Sequence, residues 1–425
     1  MKKLFFLCTL CSLIACSSNK NVLIFRNDLT QVGPCEPSIA ISPVDPDVLV
    51  AGSVLDFVHY SSDGGKTWTT DNLNSSQGVY GDPCVISDQE GNFYYFHLAD
   101  PEGSRWKSKR ILESIVVQRS EDGGVNWTNG KAIGLNPPKQ QDKEWAIANP
   151  DNGEIYVTWT QFDTYGSKEP DCETQILFSK SSDKGESWTA PFELSQFRGN
   201  CIDDDQTVEG AVPAVGPEGN IYVTWGNNEK LYFDRSTDGG QSWLAQDIVV
   251  AEQPGGWNMD VPGIGRTNGM PVTCADRSSS KFRGRVYVCW ADNRNGQENT
   301  DIFLSSSNDA GQSWSKPLRV NQDQTQTHQF FPWMAIDQSN GHIYIVYYDR
   351  SKYSDLQNDV VLAVSKDGGQ SFKAKTISEQ PFEAPGKRIF FGDYNNITVH
   401  KGIVRPIWTS FSDGKLSVWT ALIKG

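Results

Sequence analysis

The sequence predicts an all-β protein, a seven-bladed β-propeller, and three observations carry that expectation. A short motif recurs six times, a strand–turn–strand pattern recurs seven times, and turn-forming residues are abundant. Glycine (38) and proline (21) make up about one residue in seven of the 425, while charged residues are only 21%. That balance suits short strands joined by tight turns better than helices. Fourteen tryptophans and 37% hydrophobic residues exclude a disordered chain, and this length can bury a large core.

The six-fold motif is S-x-D-x-G-x-x-W/F. It reads Ser61, Asp63, Gly65 and Trp68, then Ser120, Asp122, Gly124 and Trp127, and next Ser181, Asp183, Gly185 and Trp188. It continues at Ser236, Asp238, Gly240 and Trp243, at Ser307, Asp309, Gly311 and Trp314, and at Ser365, Asp367, Gly369 and Phe372. The aspartates lie 59, 61, 55, 71 and 58 residues apart, a period that marks repeated supersecondary units. The residue types fit a tight turn: Ser and Asp side chains bond backbone N–H groups, Gly supplies positive φ, and the aromatic packs under the hairpin.

The second repeat precedes each motif and begins at Glu36, Asp82, Lys143, Glu209, Gly269 and Phe331, with a seventh copy at Asp393. Each copy is a polar or Pro-containing turn, a strand, a Gly turn and an aromatic strand, the pattern of propeller blades. The seventh ends in Leu416-Ser-Val-Trp-Thr-Ala-Leu-Ile and shows three strands, so Asn21-Val-Leu-Ile-Phe-Arg26 is expected to supply the fourth. That closure removes an open sheet edge. No linker divides residues 21–425, which read as one domain.

In a four-stranded blade, the start of the first strand and the loop between strands two and three share one face. Residues converging there include Glu36, Asp82, Lys143, Glu144, Trp145, Glu209, Asn268, Asp393 and Tyr394, and from the loops Asp56, His59, His97, Asp100, Asp163, Asp292, Arg294, Asp349 and Arg350. Carboxylates, cations and aromatics in one mouth suit a carbohydrate, with polar edges to bond and apolar faces to stack. Glu36, Asp82, Lys143, Trp145, Asp292, Arg294, Asp349, Arg350 and Asp393 are the expected substrate contacts.

The six-fold turn resembles the Asp-box of sialidases and related β-propellers. The resemblance implies that the boxes sit on the hairpin between the two outer strands, away from the active face. Sialidases have six blades, so a six-bladed sialidase-like fold is the alternative. Sialidases pair a tyrosine nucleophile with a glutamate and use an aspartate as acid/base. The matching positions are Tyr394 in Phe391-Gly-Asp-Tyr-Asn-Asn, Glu209 in Val208-Glu-Gly-Ala-Val-Pro, and Asp56 shortly before the first box. A neutral phenol is a weak nucleophile, so a neighbouring carboxylate must take its proton. The arginine triad of sialidases is not intact: Cys35-Glu36-Pro37-Ser38 stands where an Arg-Ile-Pro segment would be. Arg26 lies upstream, the second position falls near Glu229-Lys230, and only Arg294 or Arg350 could serve as the third.

At the N-terminus, Met1-Lys2-Lys3 precedes an apolar run from Leu4 to Ala15, too short to span a bilayer. Leu13-Ile-Ala-Cys16 resembles a bacterial lipobox. Residues 1–15 are therefore expected to be a lipoprotein signal, Cys16 the lipidated residue and 16–20 a tether, placing the protein in the cell envelope. An oxidising compartment permits disulfides among Cys35, Cys84, Cys172, Cys201, Cys274 and Cys289, with Cys172–Cys201 and Cys274–Cys289 the pairs expected. No metal or other cofactor is expected, apart from a structural Ca²⁺ as a lesser alternative to a solvated loop at Asp203-Asp204-Asp205. His97 and His328 are proton-abstraction candidates, with structural roles expected first. A net charge of −14 disfavours nucleic acid, and a closed propeller gives no reason to expect more than a monomer.

The functional expectation is an envelope-anchored exo-glycoside hydrolase. The alternatives are a surface propeller that binds carbohydrate or protein without turnover, and a polysaccharide lyase.

Overall fold

The computed structural model describes residues 20–27 and 32–425; the signal, Cys16 and the tether up to residue 19 lie outside them. Seven antiparallel sheets stand in a ring, each with four strands in order, and blade six carries an additional short strand, Phe382–Glu383. Blade one consists of Ser38–Ile41, Leu49–Ser53, Phe57–Ser61 and Thr69–Asn72. The innermost strands of blades two to seven are Cys84–Ser87, Gln140–Ala148, Glu209–Val215, Val272–Ala275, Gln329–Asp337 and Asn396–His400. Seven blades replace the six-bladed alternative.

Blade seven is closed by the N-terminal strand. Lys20–Arg26 pairs with Lys415–Lys424, from Lys20 opposite Leu422 to Arg26 opposite Ser417. Helix among the described residues is confined to a 3₁₀ turn at Arg105–Lys107.

The second strand of each blade is the apolar one because both of its faces pack against neighbouring blades. Trp159, Trp225 and Trp290 lie at equivalent places in blades three, four and five and are fully buried, as are Tyr94, Tyr156, Tyr222, Tyr287 and Tyr344.

The six S-x-D-x-G-x-x-W/F turns connect strands three and four at the outer edge. In each, the Ser hydroxyl donates to the Asp carboxylate at 2.7–2.9 Å and accepts from the Gly N–H. Burial opposes ionisation slightly, but hydroxyl and backbone donors outweigh it and hold Asp63, Asp183, Asp309 and Asp367 at about 2. The turns also seam the blades. Trp188, Trp243 and Trp314 stack edge-on against Phe96, Phe178 and Phe233 of the preceding blade, at 6.0, 4.9 and 5.2 Å. The first turn meets blade seven, where Arg405 Nε donates to the Gly64 carbonyl at 2.8 Å.

Of the expected disulfides, Cys172–Cys201 is formed. Cys274–Cys289 is not. The register sets Cys274 opposite Tyr287 and Cys289 opposite Val272, so the two thiols are diagonal neighbours rather than partners, and both are free.

Gly311 tests the seam. Its φ is +87°, and a Cβ there would lie 2.2 Å from the Phe233 ring. Gly311→Ala combines left-handed strain with overpacking and is expected to destabilise the fold by about 2–4 kcal/mol, read from the urea midpoint.

Candidate functional site

The site begins with a repeated backbone irregularity. The chain enters the innermost strand through a left-handed residue in six blades: Glu36 (φ 50°), Asp82 (51°), Lys143 (55°), Gly210 (77°), Phe331 (51°) and Gly392 (94°). Non-glycine residues held there cost about 1–3 kcal/mol each, so the surrounding packing must impose the conformation. Glycine is required in blade seven, where a Cβ on Gly392 would stand 2.7 Å from Glu36 Cγ. Blades one, two and three thus set Glu36, Asp82 and Lys143 around the axis, and blade seven adds Asp393.

Lys143 is 5% exposed and is the hub. Its Nζ lies 2.6 Å from Asp393 Oδ2, 3.1 Å from Asp82 Oδ2 and 3.8 Å from Glu36 Oε1. Glu36 also accepts from the Asp393 backbone N–H at 3.1 Å. Burial disfavours the ammonium, but these carboxylates overcompensate and raise its pKa.

Arg266 is the second cation. Its Nε meets Asp393 at 3.2 Å, and its two terminal nitrogens hold Asp203 at 2.8 and 3.1 Å. Tyr165 donates to Asp203 at 2.6 Å. Burial pushes Asp393 up, yet Arg266 and Lys143 together hold it below the ordinary carboxylate value. Arg266 is delivered by a two-stranded ribbon, Asn258–Met259 with Thr267–Asn268, and Asn268 donates to the Asp393 carbonyl at 2.9 Å.

Above this network opens a cavity of about 370 Å³. Glu36, Asp82, Asp142, Lys143, Arg266 and Asp393 form its polar floor, and Tyr80, Trp106, Tyr165 and Phe390 its aromatic walls. Trp106 is 58% exposed and leans over the opening, its ring 5.3 Å from Tyr165 and edge-on to Tyr80 at 5.8 Å. Arg105, beside it, also lines the cavity.

Desolvation, with Asp82 adding repulsion, pushes Asp142 up to about 7. Glu36 is raised by burial and then by Asp82, Glu144 likewise, and Glu209 by burial and then by Asp203. All four oxygens of Glu144 and Glu209 are buried without a hydrogen-bond partner, which fits protonated carboxyls.

Below the cavity, aromatics plug the axis. Trp145, Trp333 and Tyr394 occupy the same position in their blades, two residues after the left-handed one. Trp145 lies 4.1 Å from Trp333 and 5.0 Å from Tyr394. The Tyr394 hydroxyl donates to the Pro83 carbonyl at 3.3 Å, and burial, reinforced by Glu36 and Asp82, pushes its pKa up.

Of the residues expected in the mouth, the structure therefore gathers Glu36, Asp82, Lys143 and Asp393 on the cavity floor and Trp145 and Tyr394 beneath it. Glu209 is buried beside Asp203, Asp142 and Arg266 and is not hydrogen-bonded to Tyr394. Asp56 lies in the turn after Leu49–Ser53, outside the cavity lining. Asp292 and Arg294 bond each other at 2.5–3.0 Å in blade five, because the arginine folds back over Phe303. Arg350 is spent on Asn358 and the Pro262 carbonyl, and Asp349 accepts from Gln329. His97 bonds Leu98 and Gln118, and His328 bonds Thr300; burial lowers both to about 4. The Asp203-Asp204-Asp205 run does not converge on one point: Asp203 faces Arg266, Asp204 accepts from Asn200, and Asp205 from the Asn258 N–H. Among the described residues no group of three or more His, Cys, Asp or Glu is placed to hold a metal.

Sequence reasoning missed Arg266, Asp142, Tyr165, Tyr80, Arg105 and Trp106. The unusual 71-residue spacing between Asp238 and Asp309 was the signal for the ribbon carrying Arg266. The long connection between Leu98 and Ile115 in blade two was the signal for the Arg105–Trp106 turn.

No protein-family model matches the sequence, and no curated protein matches it. Solved structures resemble it in fold. A family PL25 ulvan lyase, a polysaccharide lyase, superposes with a TM-score of 0.58 at 13% identity, covering 95% of this chain and 96% of that one. The NanB sialidase of Streptococcus pneumoniae gives 0.53 at 12% identity, covering 82% and 69%. A protein of unknown function from Dyadobacter fermentans gives 0.50 at 17% identity, covering 78% and 94%. The chain shares the β-propeller fold of these proteins.

Removing the hub leaves three carboxylates facing one another in a buried space. Lys143→Met is expected to destabilise the protein by about 3–5 kcal/mol near pH 7 in urea unfolding. Because the folded pKa of Asp393 is depressed, its stabilising contribution is present above the ordinary carboxylate pKa and is lost as pH falls through the folded value. The gap between Lys143→Met and the parent chain should therefore narrow toward pH 3.

Proposed function

We propose that the protein is a glycan-processing propeller that hydrolyses a glycosidic bond in the cavity above Lys143. One observation carries this reading: two carboxyl groups with different environments, Asp142 and Asp82, line one aromatic-walled cavity. Asp142, pushed up to about 7 by burial, keeps its proton in a sizeable fraction of molecules near neutrality, whereas Asp82 is ion-paired to Lys143. A carboxyl raised by burial beside a carboxylate held by an ammonium offers an acid and a base, as glycoside hydrolysis requires.

In this reading Asp142 gives a proton to the departing glycosidic oxygen. Asp82 serves as the carboxylate that activates water or attacks the sugar. Lys143 and Arg266 hold Asp82 and Asp393 in position, and the walls of Tyr80, Trp106 and Tyr165 stack on the apolar face of a sugar ring. Tyr394, whose hydroxyl is turned to a backbone carbonyl, is a support under Lys143 rather than the nucleophile. Glu209 acts through the charge balance around Asp142. Export and anchoring through Cys16, and action as a monomer, complete the proposal on the strength of the sequence.

A second reading, a glycan-binding platform without turnover, is favoured by one feature. Asp82, Asp393 and Asp203 are already committed to Lys143 and Arg266 before any ligand arrives. Mass spectrometry of a polysaccharide panel after incubation separates the readings. A fragment carrying one added water supports hydrolysis, an unsaturated fragment absorbing in the ultraviolet indicates a lyase, and an intact panel leaves the platform.

With a hydrolysed substrate in hand, Asp142→Asn is expected to lower kcat by about 10²–10⁴-fold, and Tyr394→Phe to change it little. Activity should fall as pH rises through about 7, where Asp142 loses its proton. The stability sign agrees: the unfolded carboxyl ionises near pH 4 while the folded one stays protonated, so this group's contribution becomes less favourable between pH 4 and 7. A kcat that stays flat from pH 5 to 9 would remove Asp142 from the acid role.

A further inference from the structure

The chain carries 52 acidic residues against 38 basic ones, yet residues 104–110, Ser-Arg-Trp-Lys-Ser-Lys-Arg, hold four cations and no acid. This stretch lies in the connection between Phe93–Leu98 and Ile115–Ser120 of blade two, over the cavity. Asp100, 3% exposed, anchors it by accepting the Arg105 N–H at 2.7 Å. The Arg105 carbonyl accepts in turn from the Ser108 N–H at 2.7 Å. Arg105 takes a left-handed φ of 56°, which costs a non-glycine residue about 1–3 kcal/mol and persists only where such contacts impose it. Arg105 and Trp106 are thereby set on the cavity wall.

Among the described residues three cations line the cavity, and they are not equivalent. Lys143 is held by Asp82 and Asp393, and Arg266 by Asp393 and Asp203. Arg105 is exposed, and its guanidinium forms no ion pair or hydrogen bond with any described residue. Lys107 and Lys109 are exposed and unpaired as well, whereas Arg110 is tied to Glu113. The charge of Arg105 reaches the cavity wall: burial pushes the Tyr80 hydroxyl up, and Arg105 opposes that shift. Beside it Trp106 presents an exposed ring. A free guanidinium next to a free indole face suits an anion carried on a ring. The floor does not, because both of its cations already have carboxylate partners.

We propose that the mouth of the cavity binds an acidic glycan, with the anion on the sugar unit next to the one inside the cavity. Arg105 grips the carboxylate or sulfate, and Trp106 stacks on the ring that bears it. The planar fork of a guanidinium fits either oxyanion, so the two are alternatives for one site. Lys107 and Lys109 draw further anions of the chain toward the rim. The unit inside the cavity is uncharged, since no cation of the floor is free to neutralise an anion there. This rests on the glycan reading above and names its substrate class, but it does not depend on hydrolysis.

The test is calorimetric titration of the full chain with two matched pairs: a hyaluronan hexasaccharide and its carboxyl-reduced form, and a κ-carrageenan hexasaccharide and its desulfated form. Both acidic members carry their anions on alternate units. At least one should bind about tenfold more tightly than its neutral partner, and the pair that does so tells carboxylate from sulfate. The advantage should shrink as NaCl rises from about 50 mM to about 0.5 M. Arg105→Gln should remove about tenfold of it, and Lys107→Gln combined with Lys109→Gln about threefold. All three side chains are exposed, so these variants keep the fold. Lys66→Gln, at an exposed lysine of the first outer turn, should change nothing. Asp142→Asn should leave the acidic-to-neutral ratio as it is; a ratio that rises would place the anion on the floor and overturn the proposal. It is also overturned if Arg105→Gln keeps the advantage, or if Lys66→Gln costs as much. Equal binding of acidic and neutral members overturns it and leaves the glycan reading in place, whereas no binding by any of the four overturns both. Acidic selectivity without cleavage would remove the hydrolase and leave this site standing.

Discussion

The ammonium of Lys143 is the interaction on which the centre of this propeller depends. It collects carboxylates from three other blades, Glu36 from blade one, Asp82 from blade two and Asp393 from blade seven. Blades one and seven are the first and last in the chain, so the ion cluster joins the ends of the ring at its axis as strand pairing joins them at the rim. A buried ammonium is tolerable only with such partners, and such a convergence of carboxylates is tolerable only with the ammonium. Arg266 repeats the arrangement one step outward, sharing Asp393 and adding Asp203.

That mutual dependence explains the strained entries to the inner strands. Left-handed backbone at Glu36, Asp82 and Lys143 turns three charged side chains toward one axis instead of along their sheets. The cost is local, and the central cluster and the inter-blade aromatic packing offset it. Burial raises Asp142, Glu144 and Glu209, with neighbouring carboxylates adding repulsion, and of these Asp142 lines the cavity.

The loops show how a regular ring acquires a particular mouth. Two departures from the repeat, the ribbon before blade five and the Arg105–Trp106 connection in blade two, supply a cation, two aromatic contacts and a roof to the cavity. The disulfide-tied loop before blade four brings Asp203 to Arg266 beside the cavity. The architecture shared with a polysaccharide lyase and a sialidase says nothing about these insertions, since the fold is set by the strands and the chemistry by the loops.

The repeats alone determined the blade count and closure by the N-terminal strand, because both follow from strand periodicity that the sequence spells out, whereas the outer position of the six turns was implied by the resemblance of the motif to the Asp-box. The repeats also placed Glu36, Asp82, Lys143 and Asp393 on one axis, since equivalent positions in a ring must converge. Only the tertiary structure decided which charged residues face one another. Arg294 and Arg350 match the expected loops, yet each finds a partner closer at hand, Asp292 in one case and Asn358 in the other. Arg266, from an irregular insertion, reaches the centre instead. Ion pairing depends on distances of a few ångströms between segments far apart in sequence, and no repeat or motif encodes those distances.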